Sequence, residues 1–103
     1  MDVKVIKFVN GQEIIAKVTT TTDTQVVIQS PLTLQPLRTG DSAMSLGLMP
    51  FTWGGDNRQP IALNAAHILC VMESESELKS QYLAALAGLA LPSRSTSKLT
   101  LVE

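Results

Sequence analysis

The sequence predicts a mostly β protein, a five-stranded and strongly bent antiparallel barrel with a C-terminal α-helix. Runs rich in β-branched residues fill residues 3–28, Asn10-Gly11 separates the first two runs, and the apolar spacing becomes helical near Ser74. β-Branched and aromatic residues favour strands, and Asn-Gly supplies the positive φ angles that a tight hairpin requires. Several short strands before a single helical segment therefore indicate a small curled sheet with a helix behind it.

The first three strands are predicted at residues 3–9, 12–20 and 25–29. Ile14 and Ala16 alternate with Glu13 and Ile15 in the second strand, so both of its faces carry apolar side chains. An Asp23-Thr24 turn follows. Pro31 and Pro36 cannot donate to a ladder, and they are expected to end the third strand early.

A fourth strand is predicted at residues 43–52 and a fifth at residues 61–72. In the fifth strand Ile68, Cys70 and Met72 should share one face and Leu69 and Val71 the other. A strand that is apolar on both faces at the end of a small barrel suggests contact with a neighbour. Phe51 and Trp53, after the fourth strand, either fill the core or form a lid or subunit contact.

The helix is predicted to start with a capping box, in which the Ser74 hydroxyl accepts from the backbone of Glu77. Its apolar stripe comprises Leu78, Tyr82, Ala85, Leu86 and Leu89. Gly88 and Leu91-Pro92 are expected to end it. The predicted organisation is a barrel at residues 1–73, a helix at 74–91 and a tail at 92–103 within one domain; the tail is either disordered or a short edge strand.

Composition narrows the possible functions. A chain of 103 residues is expected to form one domain, and 45% hydrophobic against 17% charged residues favours self-association. The net charge of −1 provides no global positive field for nucleic acid or membranes. One cysteine, no visible signal peptide and no apolar run of about 20 residues predict a soluble, cytoplasmic protein that does not enter membranes.

The sequence contains few of the residues that enzymatic catalysis or metal binding would require. One histidine and one cysteine exclude the usual zinc-ligand sets, and no phosphate-binding glycine loop or nucleophile elbow is present, so no metal or other cofactor is expected. A nucleophilic pair of Cys70 and His67 is disfavoured, because residues three apart on a strand lie on opposite faces. The prediction is a non-enzymatic protein, in which His67 either bonds to backbone groups or contacts a ligand.

Two segments resemble the motifs of the Sm-like family, which comprises the Sm, LSm and Hfq proteins. Residues 5–18, with Asn10-Gly11 between two strands, followed by Asp23 and then Val26-Val27-Ile28, are similar to the first motif. Residues 63–71 are similar in spacing to the second motif. Ala16 stands where the family commonly has glycine, and Asn64-Ala65 where it has a basic residue and glycine. The helix follows the barrel, whereas family members typically carry it in front.

The resemblance implies a homo-oligomeric ring, expected to hold five to eight subunits, in which the fourth strand of one subunit pairs with the fifth strand of the next. It also implies RNA binding around the pore, with single-stranded RNA as the expected ligand. The candidate RNA-binding residues are Thr22, Asp23 and Gln25 at one turn and Asn64 and His67 at another. The alternative is a ring-forming scaffold or protein-interaction module that does not bind nucleic acid.

Overall fold

The computed structural model describes residues 2–39 and 43–89. The strands are β1 (Asp2–Phe8), β2 (Glu13–Thr21), β3 (Gln25–Thr39), β4 (Ala43–Pro50), β5 (Ile61–Asn64) and β6 (Ile68–Glu73), and one helix, α1 (Ser76–Leu89), follows them. The strands form one antiparallel sheet in the order β4-β3-β2-β1-β6, and β5 pairs with the first four residues of β3. The predicted fold class, a bent antiparallel β structure with a C-terminal helix, is confirmed.

The predicted fifth strand is two strands, so the described chain has six strands rather than five. A 3-10 turn at Ala65–His67 separates β5 from β6. Asn64 causes the interruption, because its side-chain oxygen accepts from the Ala66 backbone N–H at 2.9 Å and caps the turn. An asparagine that bonds to the backbone two residues ahead favours a turn over a continued ladder.

The prediction that prolines would end the third strand at residue 29 is wrong, since β3 continues to Thr39. Ile15 pairs with Leu32 but Lys17 pairs with Gln29, so Ala16 alone faces both Ser30 and Pro31. This is a β-bulge, one of the few places in a sheet that accepts proline, and Ser30 occupies the left-handed region with φ of 54°. The bulge bends the strand without ending it.

Both faces of the sheet bury apolar side chains. The inner face of the barrel holds a core of Ile6, Ile14, Ala16, Val26, Ile28 and Leu63. The opposite face holds Val3, Ile15, Leu32 and Leu34, which pack with Tyr82 of α1. The doubly apolar pattern predicted for β2 therefore reflects coverage by the barrel interior on one side and by the helix on the other.

Helix α1 packs with the predicted stripe, of which Leu78, Tyr82, Ala85 and Leu86 contact the second core. The predicted capping box is wrong. The Ser74 hydroxyl instead donates to the Glu75 carbonyl at 3.0 Å, and the Glu75 carbonyl accepts the Lys79 N–H at 2.9 Å as the helix begins. The predicted stop at Leu91-Pro92 and the tail at residues 92–103 lie outside the described residues.

The predicted faces of the last strand are also partly wrong. Ile6 pairs with Val71 and Phe8 pairs with Ile68, while the register shifts between Lys7 and Phe8. Leu69 is the extra residue at this bulge. Because directly paired residues share a face, Ile68 and Val71 lie on the inner face together, contrary to simple alternation.

Candidate nucleic-acid interface

The first group of candidate residues forms the tight turn between β2 and β3. The Thr22 N–H donates to the Gln25 carbonyl at 2.8 Å, closing a two-residue loop of Asp23 and Thr24. The Thr22 hydroxyl accepts from the N–H groups of Thr24 and Gln25 at 3.3 and 3.1 Å. The Thr22 side chain therefore fixes the turn, and the exposed side chains of Asp23 and Gln25 are left at its surface.

The second group lies beside the first. The Ala65 N–H donates to the Thr24 carbonyl at 2.9 Å, and Gln25 pairs with Asn64 in the β3–β5 register. The structure thus brings Asn64 next to the Thr22–Gln25 turn. His67, at the other end of the 3-10 turn, contacts a different loop. Its carbonyl accepts the Val9 N–H at 2.9 Å, which connects the 3-10 turn to the β1–β2 loop.

Asn64 and His67 also line an open recess of about 430 Å³ at this end of the barrel. The recess lies between the β1–β2 loop, the residue after β4 and the 3-10 turn. Its lining residues are Phe8, Val9, Asn10, Gln12, Phe51, Leu63, Asn64 and His67. A volume of this size is within the range of small-molecule sites.

The sequence did not predict that two aromatic rings meet in this recess: Phe51 was expected in the core, a lid or a subunit contact, and Phe8 was given no role. Phe8 and Phe51 stack with ring centroids 6.3 Å apart and an interplanar angle of 12°. Both rings are partly buried against the inner core, so one part of each packs inward and the rest faces the recess. The available signal was weak: these are the only two phenylalanines, but they lie 43 positions apart in sequence and nothing local joins them.

Two of the polar groups of the recess, the Asn10 and Asn64 amides, have side-chain oxygens that already accept a hydrogen bond. The Asn10 side-chain oxygen accepts from the Gln12 N–H at 3.0 Å, as the Asn64 oxygen does from Ala66. Within residues 2–39 and 43–89, no acceptor is bonded to the Nδ2 group of Asn10 or Asn64. The recess therefore offers amide N–H donors above an apolar floor, without a charged side chain in its lining.

The side chains that could carry catalytic or metal chemistry are the single histidine, the single cysteine and the carboxylates. His67 lies in the 3-10 turn and Cys70 in β6, and no hydrogen bond joins their side chains. In the part of the chain that the structure describes, no three His, Cys, Asp or Glu side chains are grouped so that they could hold a metal ion.

Comparison with known protein families identifies the fold. The model of the Sm_like domain matches residues 5–83. The match begins within β1, contains the other five strands completely and ends within α1. The chain belongs to the Sm-like family. Sm-like proteins are generally non-enzymatic, RNA-associated and ring-forming. No individual curated protein matches the chain.

In the described part of this Sm-like protein a helix follows the barrel, and a ten-residue segment lies between β4 and β5. Across residues 2–39 and 43–89, no helix has the length and apolar character needed to cross a membrane.

Proposed function

We propose that this Sm-like protein assembles into a closed homo-oligomeric ring of five to eight subunits and binds single-stranded RNA. The observation that carries the ring is the open sheet. Within the described residues no strand pairs with the outer edge of β6, nor with the outer edges of β4 and β5. Unpaired edges are templates for another strand, and two such edges on one small domain can join copies head to tail around a ring.

The side chains on β6 support the same assembly. Leu69, Val71 and Met72 are 62%, 43% and 59% exposed in the single chain. Val71 shares the inner face with the fully buried Ile6, so it is exposed only because no further strand closes the barrel beyond β6. A second copy at this edge would cover all three side chains.

RNA contacts are proposed at the two neighbouring turns. All five candidate side chains, those of Thr22, Asp23, Gln25, Asn64 and His67, are exposed, although the Thr22 hydroxyl and the Asn64 oxygen also bond within their own turns. Amide, imidazole and hydroxyl groups can bond to base edges and the 2′-OH, and the stacked phenylalanines provide the apolar surface on which an unstacked base rests. The proposed role is non-enzymatic and cytoplasmic, with RNA chaperoning as the corresponding activity.

Native mass spectrometry tests the assembly and the ligand together. The full chain is measured with and without a short U-rich or A-rich RNA, at low and at moderate salt. A single closed oligomer of five to eight subunits that takes up one RNA strand is the expected result. A monomer at every concentration would contradict the ring.

Salt dependence shows which part of the RNA is bound. Each phosphate neutralised by a cation makes the affinity for single strands fall by about 0.7 decade per decade of salt. The recess contains no charged side chain, so base contacts there should be nearly insensitive to salt. A steep slope would place most of the affinity in phosphate contacts elsewhere on the ring.

The second candidate function is a ring-forming scaffold without nucleic-acid binding. The net charge of −1 favours it, as does the lack of any lysine or arginine among the five candidate residues and in the recess lining. A closed ring that takes up neither RNA at low salt would support the scaffold.

A further inference from the structure

The segment between β4 and β5, residues 51–60, carries the most exposed large apolar side chain in the described chain. Trp53 is 79% exposed. Two glycines follow it, and neither a core cluster nor an aromatic pair includes it. An indole held in water is unfavourable, and tryptophan is among the residues most enriched at the energetic centres of interfaces.

The segment is fixed by Asn57. Its side-chain oxygen accepts from the Thr52 N–H and hydroxyl at 3.2 and 2.9 Å, and its side-chain nitrogen donates to the Thr52 carbonyl at 2.9 Å. The Asn57 carbonyl also accepts the Ser30 N–H at 3.2 Å, which anchors the segment to the bulge of β3. Trp53 directly follows Thr52, whose backbone and side chain are both hydrogen-bonded to Asn57. Because this part of the segment is already ordered, burying the indole should cost less conformational entropy.

The anchor places the segment at the middle of a free sheet edge. β5 pairs with β3 residues 25–28, and β4 pairs with residues 32–39. Ser30 lies between these two stretches, so the segment leaves the sheet where β4 and β5 meet. A strand of another copy that adds to this edge therefore passes beside it.

The complementary surface is β6, where Leu69 and Met72 are exposed, and these two side chains are called the apolar strip. Val71 is left out of the strip because it lies on the inner face, opposite to Met72. Charge does not oppose contact between the two. Arg58 pairs with Asp56 inside the segment at 3.2 Å, and Glu73 at the end of β6 pairs with Lys4. Each surface therefore presents apolar groups with its nearby charges matched within its own chain.

We propose that Trp53 of one subunit packs on the apolar strip of the next subunit and is an energetic centre of the subunit contact. This inference rests on the proposed ring, because the segment and the strip occupy the two opposite free edges of one chain. The proposed contact is made by a side chain of the segment between β4 and β5. It would act in addition to the backbone pairing between the two edges.

Trp53 is the only tryptophan in the chain, so tryptophan fluorescence reports on the surroundings of this one side chain. The full chain is diluted from a concentration at which native mass spectrometry shows rings to one at which it shows monomers. In the ring, emission should move to shorter wavelength and quenching by acrylamide should fall several-fold. Trp53→Ala should weaken assembly by at least about tenfold. Met72→Ala should weaken assembly in the same direction and leave Trp53 more accessible to acrylamide.

Leu83→Ala is the matched control, since it also removes an exposed apolar side chain, but from α1 and not from either free strand edge. It should leave assembly unchanged. A ring in which Trp53 stays fully accessible to acrylamide would overturn the inference and leave the proposed function intact. Shielding of Trp53 only after RNA is added would overturn it in favour of a nucleic-acid contact. A protein that never forms rings would remove both proposals.

Discussion

Ser30 is the residue at which three parts of the molecule meet. Its N–H donates to Asn57, its carbonyl accepts the Tyr82 hydroxyl at 2.7 Å, and its own backbone forms the bulge in β3. Tyr82 is fully buried. The Tyr82 hydroxyl therefore links α1 to the bulge of β3 by a hydrogen bond. The helix contributes this bond to the sheet in addition to covering its apolar side chains.

Removing the phenol oxygen tests this link. Tyr82→Phe keeps the ring but leaves the Ser30 carbonyl without its side-chain donor, which should lower the free energy of unfolding by about 1–2 kcal/mol. Urea denaturation followed by circular dichroism measures the change. Leu83→Ala on the same helix should change it by less than about 0.5 kcal/mol. Equal midpoints for Tyr82→Phe and the unmodified chain would mean that the hydrogen bond contributes nothing.

The same side chain should make the fold sensitive to alkali. Burial raises the pKa of Tyr82 to about 12, against an ordinary value of 10.0. Ionisation is therefore easier in the unfolded chain, so the stability from the neutral phenol is complete below pH 10 and is lost as the pH rises towards 12. Urea midpoints between pH 9 and about 12 should fall more steeply for the unmodified chain than for Tyr82→Phe. Parallel curves would contradict the assignment.

Among the elements, β3 shows what the sequence could and could not predict. Its first half follows from residue type, because Val26 and Ile28 alternate into a core. Its continuation through Pro31 was missed, because a bulge is created by pairing with β2 and local propensity says nothing of the partner strand. Likewise, the turn after β5 depends on one asparagine bonding ahead to Ala66, which apolar spacing cannot reveal.

The bulge itself gives a prediction about backbone geometry. At φ of 54°, Ser30→Gly should be neutral or stabilising by up to about 1 kcal/mol, since glycine accepts the left-handed region without a Cβ penalty. Ser30→Val should be destabilising by about 1–3 kcal/mol, because a β-branched residue is strained there. Thermal unfolding of the two variants, which differ only in side chain, measures the difference. A valine variant as stable as the glycine variant would mean that the bulge does not require this conformation.

In the whole molecule, the candidate site is made by residues distant in sequence. The candidate residues at the two turns could be named from motif resemblance, and the Ala65–Thr24 hydrogen bond places those turns side by side. The recess could not be predicted, because Phe8 and Phe51 meet only when β1 and the end of β4 reach the same end of the barrel. A recess whose lining residues come from such distant parts of the chain leaves little trace in a single sequence.

The recess supplies the test of where a base would bind. Phe51→Leu keeps an apolar side chain against the core but removes the aromatic face, so RNA affinity should fall by about tenfold or more, while the unfolding midpoint moves little.

Asn64→Asp retains the oxygen that caps the 3-10 turn and removes the N–H donors, so it should also weaken RNA binding in a folded ring. Asn64→Ala removes the cap as well and should additionally lower stability by about 1 kcal/mol. Fluorescence anisotropy with a labelled RNA measures affinity, and native mass spectrometry confirms that each variant still forms rings. Rings of Phe51→Leu and Asn64→Asp that bind RNA as tightly as the unmodified protein would remove the recess from the RNA path and leave only the Thr22–Gln25 turn as a candidate.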